Sequence, residues 1–309
     1  MNMKCLLLYN PTSGKGKFKE ELPLVKEIMK EKGHTLDVFL PSSREETFEK
    51  AKELASIYDC FLVAGGDGTL NTVINGVMNS KFRPKILSIP RGTTNDMAII
   101  LGVGKDIRQN LDLLDEEPIK TDLGKINEHY FCYALACGAF TSVTYEIERK
   151  NVKKYGYFAY LKQCIKQVGK NKKTEYKISY DIGEVSGDYC LLMMLNSKRV
   201  ARFNLRLFSE AKMNDGILEL RLLKGMGILN AIKIAFFFIF SGRLFRKDKQ
   251  IISNSFFIET DSNVVWNVDG EKGPSGSVEI RVCQEALEFY VSKKSKKKYY
   301  LKTEKNNNN

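Results

Sequence analysis

Residues 65–69 read Gly65-Gly66-Asp67-Gly68-Thr69, directly after the apolar run Phe61-Leu62-Val63-Ala64 and before a helix-like stretch from Leu70 to Met78. A buried strand, a glycine turn and a helix start in that order commit the chain to an α/β layer. Three glycines in four positions remove the Cβ atoms that hold a ligand off the main chain and allow φ > 0 where the chain turns sharply. The N–H groups that open the next helix lack intrahelical partners, so they bind phosphate oxygens. An aspartate in such a turn repels a bare phosphate. Asp67 is therefore expected to meet a cation, a ribose hydroxyl or water, which makes the turn a nucleotide site with a metal nearby. A lone glycine pair is more often an ordinary βα turn, but this one has company.

Two loops of the same kind surround it. Met3 to Tyr9 is a strand-like run ending in Asn10-Pro11-Thr12-Ser13-Gly14-Lys15-Gly16-Lys17, and Phe18 to Lys32 then carries apolar residues at helical intervals. The Walker spacing is absent from this loop. Ile86 to Ile89 leads into Pro90-Arg91-Gly92-Thr93-Thr94-Asn95-Asp96, followed by Met97 to Leu101. In a parallel sheet all three loops lie at the carboxyl edge, where open α/β sheets bind ligands.

Taken in order, these loops carry a family resemblance. Asn10-Pro11 to Gly16, Gly65 to Thr69, Gly92-Thr93-Thr94-Asn95-Asp96, and Asn267-Val268-Asp269-Gly270-Glu271 near the C-terminus resemble the diacylglycerol kinase catalytic family, specifically the small soluble bacterial lipid kinases. The resemblance spans about residues 3–290. The glycine-aspartate turn alone is shared with NAD kinases and phosphofructokinases; the four elements together are far more specific.

The resemblance implies an ATP-dependent lipid kinase that moves a γ-phosphoryl group to a lipid hydroxyl, with diacylglycerol as the default acceptor. It implies ATP and Mg²⁺ as cofactors. Asn10, Gly65, Gly66, Gly68, Thr69, Gly92, Thr94 and Asn95 would line the nucleotide, and Asp67 would face Mg²⁺ through water. Asp269 would take the proton of the attacking hydroxyl, with Glu271 supporting it through metal or hydrogen bonding. A second, structural metal would use Asp215 and the backbone oxygen of Ile217, although Asn214 stands where a second acid is common. Arg91 departs from the family pattern, and either adds a phosphate contact or points to solvent.

Composition sets limits. A chain of 309 residues exceeds the usual single core, so two domains are the default. The seven cysteines are scattered, with no Cys-x-x-Cys pair, which speaks against a disulfide framework and a zinc ribbon and for a reducing cytoplasm. No signal segment opens the sequence. Only His34 and His129 exist, neither with an acid-base partner at a telling spacing.

Regular strand-helix alternation predicts a parallel α/β nucleotide-binding domain over residues 1–122. Short β-rich runs from Tyr130-Cys137 to Ser277-Val282 predict an antiparallel, sandwich-like or barrel-like second domain over residues 123–292, and residues 293–309 read as a basic, Asn-rich tail. In the resembling family the catalytic site lies in the cleft between two such domains.

The surplus of 49 Lys+Arg over 37 Asp+Glu, +12 in all, suits an anionic partner or plain solubility. An anionic membrane is the preferred partner, bound peripherally at the inner face. Nucleic acid is disfavoured, because no zinc finger, helix-turn-helix or ribonucleoprotein motif is visible. Met226 to Phe240 is apolar but carries Lys233 and is shorter than the roughly 20 residues of a span. A core helix, an interfacial helix with Phe236 to Phe240 at the lipid, and a span all stay open. The lysines from Lys293 to Lys305 are a second candidate membrane contact, and a homodimer is the default oligomer. Two other functions remain open. An NAD kinase would have to use Asn95-Asp96 as its recognition pair and would leave Asn10-Pro11 and Asp269 unexplained. A non-catalytic, nucleotide-dependent membrane-binding module would have no need of Asp269.

Overall fold

Strands buried on both faces read as unbroken apolar runs, and Cys5-Leu6-Leu7-Leu8, Phe61-Leu62-Val63-Ala64 and Ile86-Leu87 are each at most 2 % exposed. In the computed structural model, described over residues 2–9, 18–138, 174–200, 203–205, 211–225 and 229–301, these runs are the centre of a parallel sheet. The chain divides into two units, one of residues 1–123, 212–215 and 284–309, the other of residues 124–211 and 216–283.

The first unit runs β1 (Lys4–Tyr9), α1 (Phe18–Glu31), β2 (Thr35–Phe39), α2 (Arg44–Leu54), β3 (Cys60–Gly65), α3 (Asp67–Met78), β4 (Lys85–Pro90), α4 (Asp96–Leu101), α5 (Ile107–Leu111) and a 3₁₀ turn at Asp112–Asp115. Its strands β2-β1-β3-β4 pair in parallel in that order. Tyr9 lies opposite Ala64 and Gly65 opposite Pro90, so the three glycine-bearing loops leave the sheet from adjacent positions at its carboxyl edge. α2 starts where Ser43 accepts the Glu46 N–H, with Glu45 and Glu46 in its first turn, as an N-terminus requires.

The second unit is antiparallel. Its strands are β5 (Ile119–Ile126), which enters from the first unit, β6 (His129–Phe131), β7 (Ala134–Gly138), β8 (Glu175–Tyr180), β9 (Gly183–Leu195), β10 (Arg199–Val200), β11 (Phe203–Asn204) and β12 (Leu218–Lys224). After α6 (Asn230–Ile239) come β13 (Lys249–Ser253), β14 (Ser255–Glu259), β15 (Val265–Val268), β16 (Glu271–Ser275) and β17 (Val278–Phe289), whose last residues return to the first unit and pair in parallel with β4; α7 (Lys293–Tyr299) follows in the first unit. The long β9 serves two ladders: residues 183–188 pair with β8, and residues 191–195 pair with β7 and β12. Tyr176, Ile178, Phe256 and Ile280 share one core with Leu135, Leu192, Leu220 and Trp266. The fold is thus parallel α/β first and antiparallel β after.

Residues 293–301 are not a loose tail. Ser292 caps α7, and Tyr299 and Tyr300 are 2 % and 3 % exposed. The Met213 N–H donates to Tyr299 O, and Thr121 Oγ1 bonds the Tyr300 hydroxyl at 3.2 Å. The sequence pattern of consecutive lysines hides this, because the two anchoring tyrosines come last. Lys302, Lys305 and the asparagines beyond lie outside the described residues. Deleting everything after Val291 should therefore lower thermal stability, since each buried aromatic contributes about 1.5–3 kcal/mol. Charge reversal at the exposed Lys294, Lys297 and Lys298 should leave the melting curve in place.

Candidate functional site

The second and third loops are built against each other. A Cβ on Gly92 would lie 2.5 Å from Gly66 Cα and 2.6 Å from Asn95 Oδ1, and one on Gly66 would lie 3.1 Å from Gly92 Cα. A Cβ on Gly65 would collide with the Thr69 side chain at 2.5 Å. None of Gly65, Gly66, Gly68 and Gly92 has positive φ; Gly66 sits at φ −97°. Their lack of a side chain thus serves close packing of loop on loop, not a left-handed turn, which corrects the sequence expectation. The left-handed residue is Asn95, at φ 52°. Its side chain closes the third loop by accepting the Gly92 N–H and donating to Gly92 O, each at 2.9 Å.

Asp67 joins the two loops. Its carboxylate accepts the N–H groups of Asp96 and Met97, both at 3.1 Å, and so caps α4. The helix dipole favours a carboxylate there. By contrast α3 starts at Gly66, with no side-chain cap bond. Its opening N–H groups are the ones a phosphate oxygen can take. Asp96 itself is fully buried. Thr69, Thr94 and Asn95 are all part-exposed, whereas Asn10 and its loop lie outside the described residues.

Arg91 does not point freely to solvent. Its Nε donates to Glu21 on α1 at 2.8 Å, Nη1 donates to Pro90 O at 2.7 Å, and the guanidinium lies 5.3 Å from the Phe18 ring. It ties the third loop to α1.

In the second unit, Asp269-Gly270 is the two-residue turn of the β15–β16 hairpin, with φ 49° and 89° and Val268 opposite Glu271. Those angles are the ones an Asp-Gly pair adopts readily. The Asp269 carboxylate is only 3 % exposed as a residue and accepts three backbone N–H groups, from Cys132 at 2.6 Å and from Tyr133 and Ala134 at 3.0 Å each. Asp269 N–H donates to Ala134 O and the Tyr133 hydroxyl to Asp269 O. Glu271, the first residue of β16, is part-exposed. Sequence reasoning missed Asn196 and Ser197 in this neighbourhood. Asn196 Nδ2 donates to Cys132 O at 3.0 Å, and the buried Ser197 Oγ has no hydrogen-bond partner among the described residues. Their signal in the sequence is polarity immediately after the buried run Tyr189–Leu195.

At the turn of Asp215 and Ile217 two side-chain oxygens are engaged by backbone donors. Asp215 Oδ2 accepts the Lys212 N–H and Asn214 Oδ1 the Leu301 N–H. No group of three or more His, Cys, Asp or Glu converges among the described residues, and hard cations take several oxygens. Cysteine chemistry is disfavoured: burial pushes the Cys60 and Cys137 thiols up, away from the reactive thiolate. His34 Nδ1 accepts the Met3 N–H, and burial lowers its pKa. A cavity of about 600 Å³ is lined by Arg221, Phe240, Arg243, Leu244 and Gln250.

A parallel sheet with interlocked glycine loops at its carboxyl edge is the arrangement in which open α/β folds hold their ligands. Comparison with known proteins narrows the class. The sequence model of the diacylglycerol kinase catalytic domain matches residues 4–126. The diacylglycerol kinase of Staphylococcus epidermidis is 31 % identical over 304 residues, covering 95 % of this chain and 93 % of that protein. The diacylglycerol kinase of Staphylococcus aureus is 32 % identical over 284 residues, covering 88 % and 87 %. A crystal structure of a putative diacylglycerol kinase from Bacillus anthracis superposes with a TM-score of 0.80 at 24 % identity over 96 % of this chain and 97 % of that one, a likeness of fold. The chain belongs to the diacylglycerol kinase family, and it is a kinase.

Proposed function

We propose that this kinase uses ATP to phosphorylate a lipid hydroxyl, with diacylglycerol as the first candidate acceptor and phosphatidic acid as its product. The observation that carries the reading is the Gly66–Gly92 backbone contact at the start of α3, whose N-cap residue Gly66 carries no side chain, a place where the phosphates of a nucleotide can approach the backbone N–H groups of a helix start. Asn10, Thr94 and Asn95 are assigned to the same nucleotide. Mg²⁺, when bound, would neutralise charge on the phosphates, and Asp67 is the residue assigned to it.

The proton of the attacking hydroxyl is assigned to Glu271, with Asp269 as the residue that positions it. A base must reach the proton it takes. Asp269 is buried under three N–H donors, whereas Glu271 is part-exposed at the next strand position but one. Phosphoryl transfer otherwise asks the protein mainly to position groups and stabilise charge, which suits loops packed backbone to backbone.

The fully buried Asp96 weighs against the NAD kinase alternative, which needs that carboxylate to meet the nucleoside. Purified protein should therefore release ADP from ATP when offered dispersed diacylglycerol and not when offered NAD. A panel adding long-chain bases, ceramide-like lipids, phosphatidylglycerol and polyprenols identifies the acceptor. ADP release with none of them, at full ATP binding, would favour the non-catalytic module.

A further inference from the structure

Helix α6 buries one side, with Ile234 at 6 % and Phe237 at 0 % exposure. An ordinary surface helix is polar opposite its buried stripe. Here the opposite side is apolar as well: Leu229, Ile232, Ile239 and Phe240 are 46 %, 66 %, 63 % and 48 % exposed. Phe236 gathers the aromatic part of this face, its ring lying 3.9 Å from that of Phe240 and 5.3 Å from that of the exposed Phe245.

The turn after the helix supplies charge of one sign. Arg243, Arg246, Lys247 and Lys249 are exposed, and none makes an ion pair among the described residues. Asp248 is the only carboxylate between residues 229 and 250, and it does not offset them. It is buried in an ion pair with Lys233, and it also accepts the N–H groups of Lys224 and Phe245. Lys233, which breaks the apolar run in the sequence, is therefore spent inside the fold.

We propose that this face, Leu229 to Phe240 with Phe245 and the four cations, is a docking surface for an anionic lipid bilayer. Exposed aromatic and aliphatic side chains beside a cluster of Arg and Lys are complementary to an acyl boundary under anionic headgroups. A second copy suits the face poorly, since a two-fold contact sets like charges against each other. The helix is too short to cross: among the described residues no helix is long and apolar enough for a span. The face deepens the lipid-kinase reading by naming where the chain meets its lipid, and it rests on that reading only for its use.

The test is co-sedimentation of the full chain with phosphatidylglycerol/phosphatidylcholine vesicles and with phosphatidylcholine vesicles, using Phe240→Ser/Phe245→Ser and Arg246→Glu/Lys247→Glu. All four side chains are exposed, so melting curves should match wild type. Wild type should bind the phosphatidylglycerol vesicles and each double variant at least about tenfold more weakly. Added salt should abolish the difference made by the charge variant and spare that made by the aromatic one. Equal binding by wild type and variants, or no wild-type binding, overturns the proposal. So does a wild-type dimer that the aromatic variant alone dissolves, which would give the face to a second copy. Assay on a soluble short-chain diacylglycerol separates the two readings. Variants that lose vesicles but keep this rate support the docking face. A wild type that binds vesicles through the face yet phosphorylates no lipid also leaves it standing, and instead removes the substrate reading.

Discussion

Glu271→Gln should lower lipid phosphorylation at least about 10²-fold, the scale of general-base loss, while ATP affinity and melting temperature stay near wild type. Asp269→Ala should behave differently. It leaves the N–H groups of Cys132, Tyr133 and Ala134 without their acceptor, and each buried unsatisfied donor costs about 1–3 kcal/mol. A loss of about 3–5 kcal/mol lowers the melting temperature by on the order of 10 °C in a domain of this size. Asp269→Asn keeps the turn geometry but turns an amide N–H₂ toward the same donors, so it should destabilise too. Differential scanning calorimetry beside steady-state assay separates the roles. A stable, inactive Asp269→Asn together with an active Glu271→Gln would return the base to Asp269.

The second large effect belongs to the loop contact. Gly92→Ala should weaken ATP binding by about 10- to 100-fold, because its Cβ falls 2.5 Å from Gly66 Cα and backbone cannot step aside as a flexible side chain can. Overpacking typically costs about 1–3 kcal/mol, and every 1.4 kcal/mol is roughly tenfold in affinity. Gly104→Ala is the control, since nothing lies within 4 Å of its Cβ, and it should bind ATP as wild type does. Titration calorimetry on folded protein reads both. Unchanged affinity in Gly92→Ala would mean that the nucleotide does not use these loops.

The strand-turn-helix order of the first unit was readable because parallel strands are unbroken apolar runs and their loops carry glycine. The register could not be read, yet it is what sets Gly65 beside Pro90 and so brings the second and third loops together. The purpose of the glycines was misread for the same reason: Gly66 and Gly92 are 26 residues apart, and only the sheet makes them neighbours. Asp269 shows the limit more sharply. An Asp-Gly pair before Glu announces a hairpin from local sequence alone. The three N–H groups that occupy its carboxylate come from Cys132 to Ala134, and backbone donors have no sequence signature. Short strands escaped as well. β13 and β16 lack clean alternation, and the Gly273-Pro274 pair within β16 argues against a strand until its pairing with β15 is seen.

The central claim, phosphoryl transfer from ATP to a lipid hydroxyl, is tested most directly by following the γ-phosphate itself. Wild-type protein mixed with isotopically labelled ATP, Mg²⁺ and a short-chain diacylglycerol should yield label covalently bound to the lipid, identified as phosphatidic acid by mass spectrometry, and Glu271→Gln should slow its appearance at least about 10²-fold. Label found only in inorganic phosphate, in NADP⁺ when NAD is supplied, or still in ATP after the lipid panel is exhausted would contradict the claim.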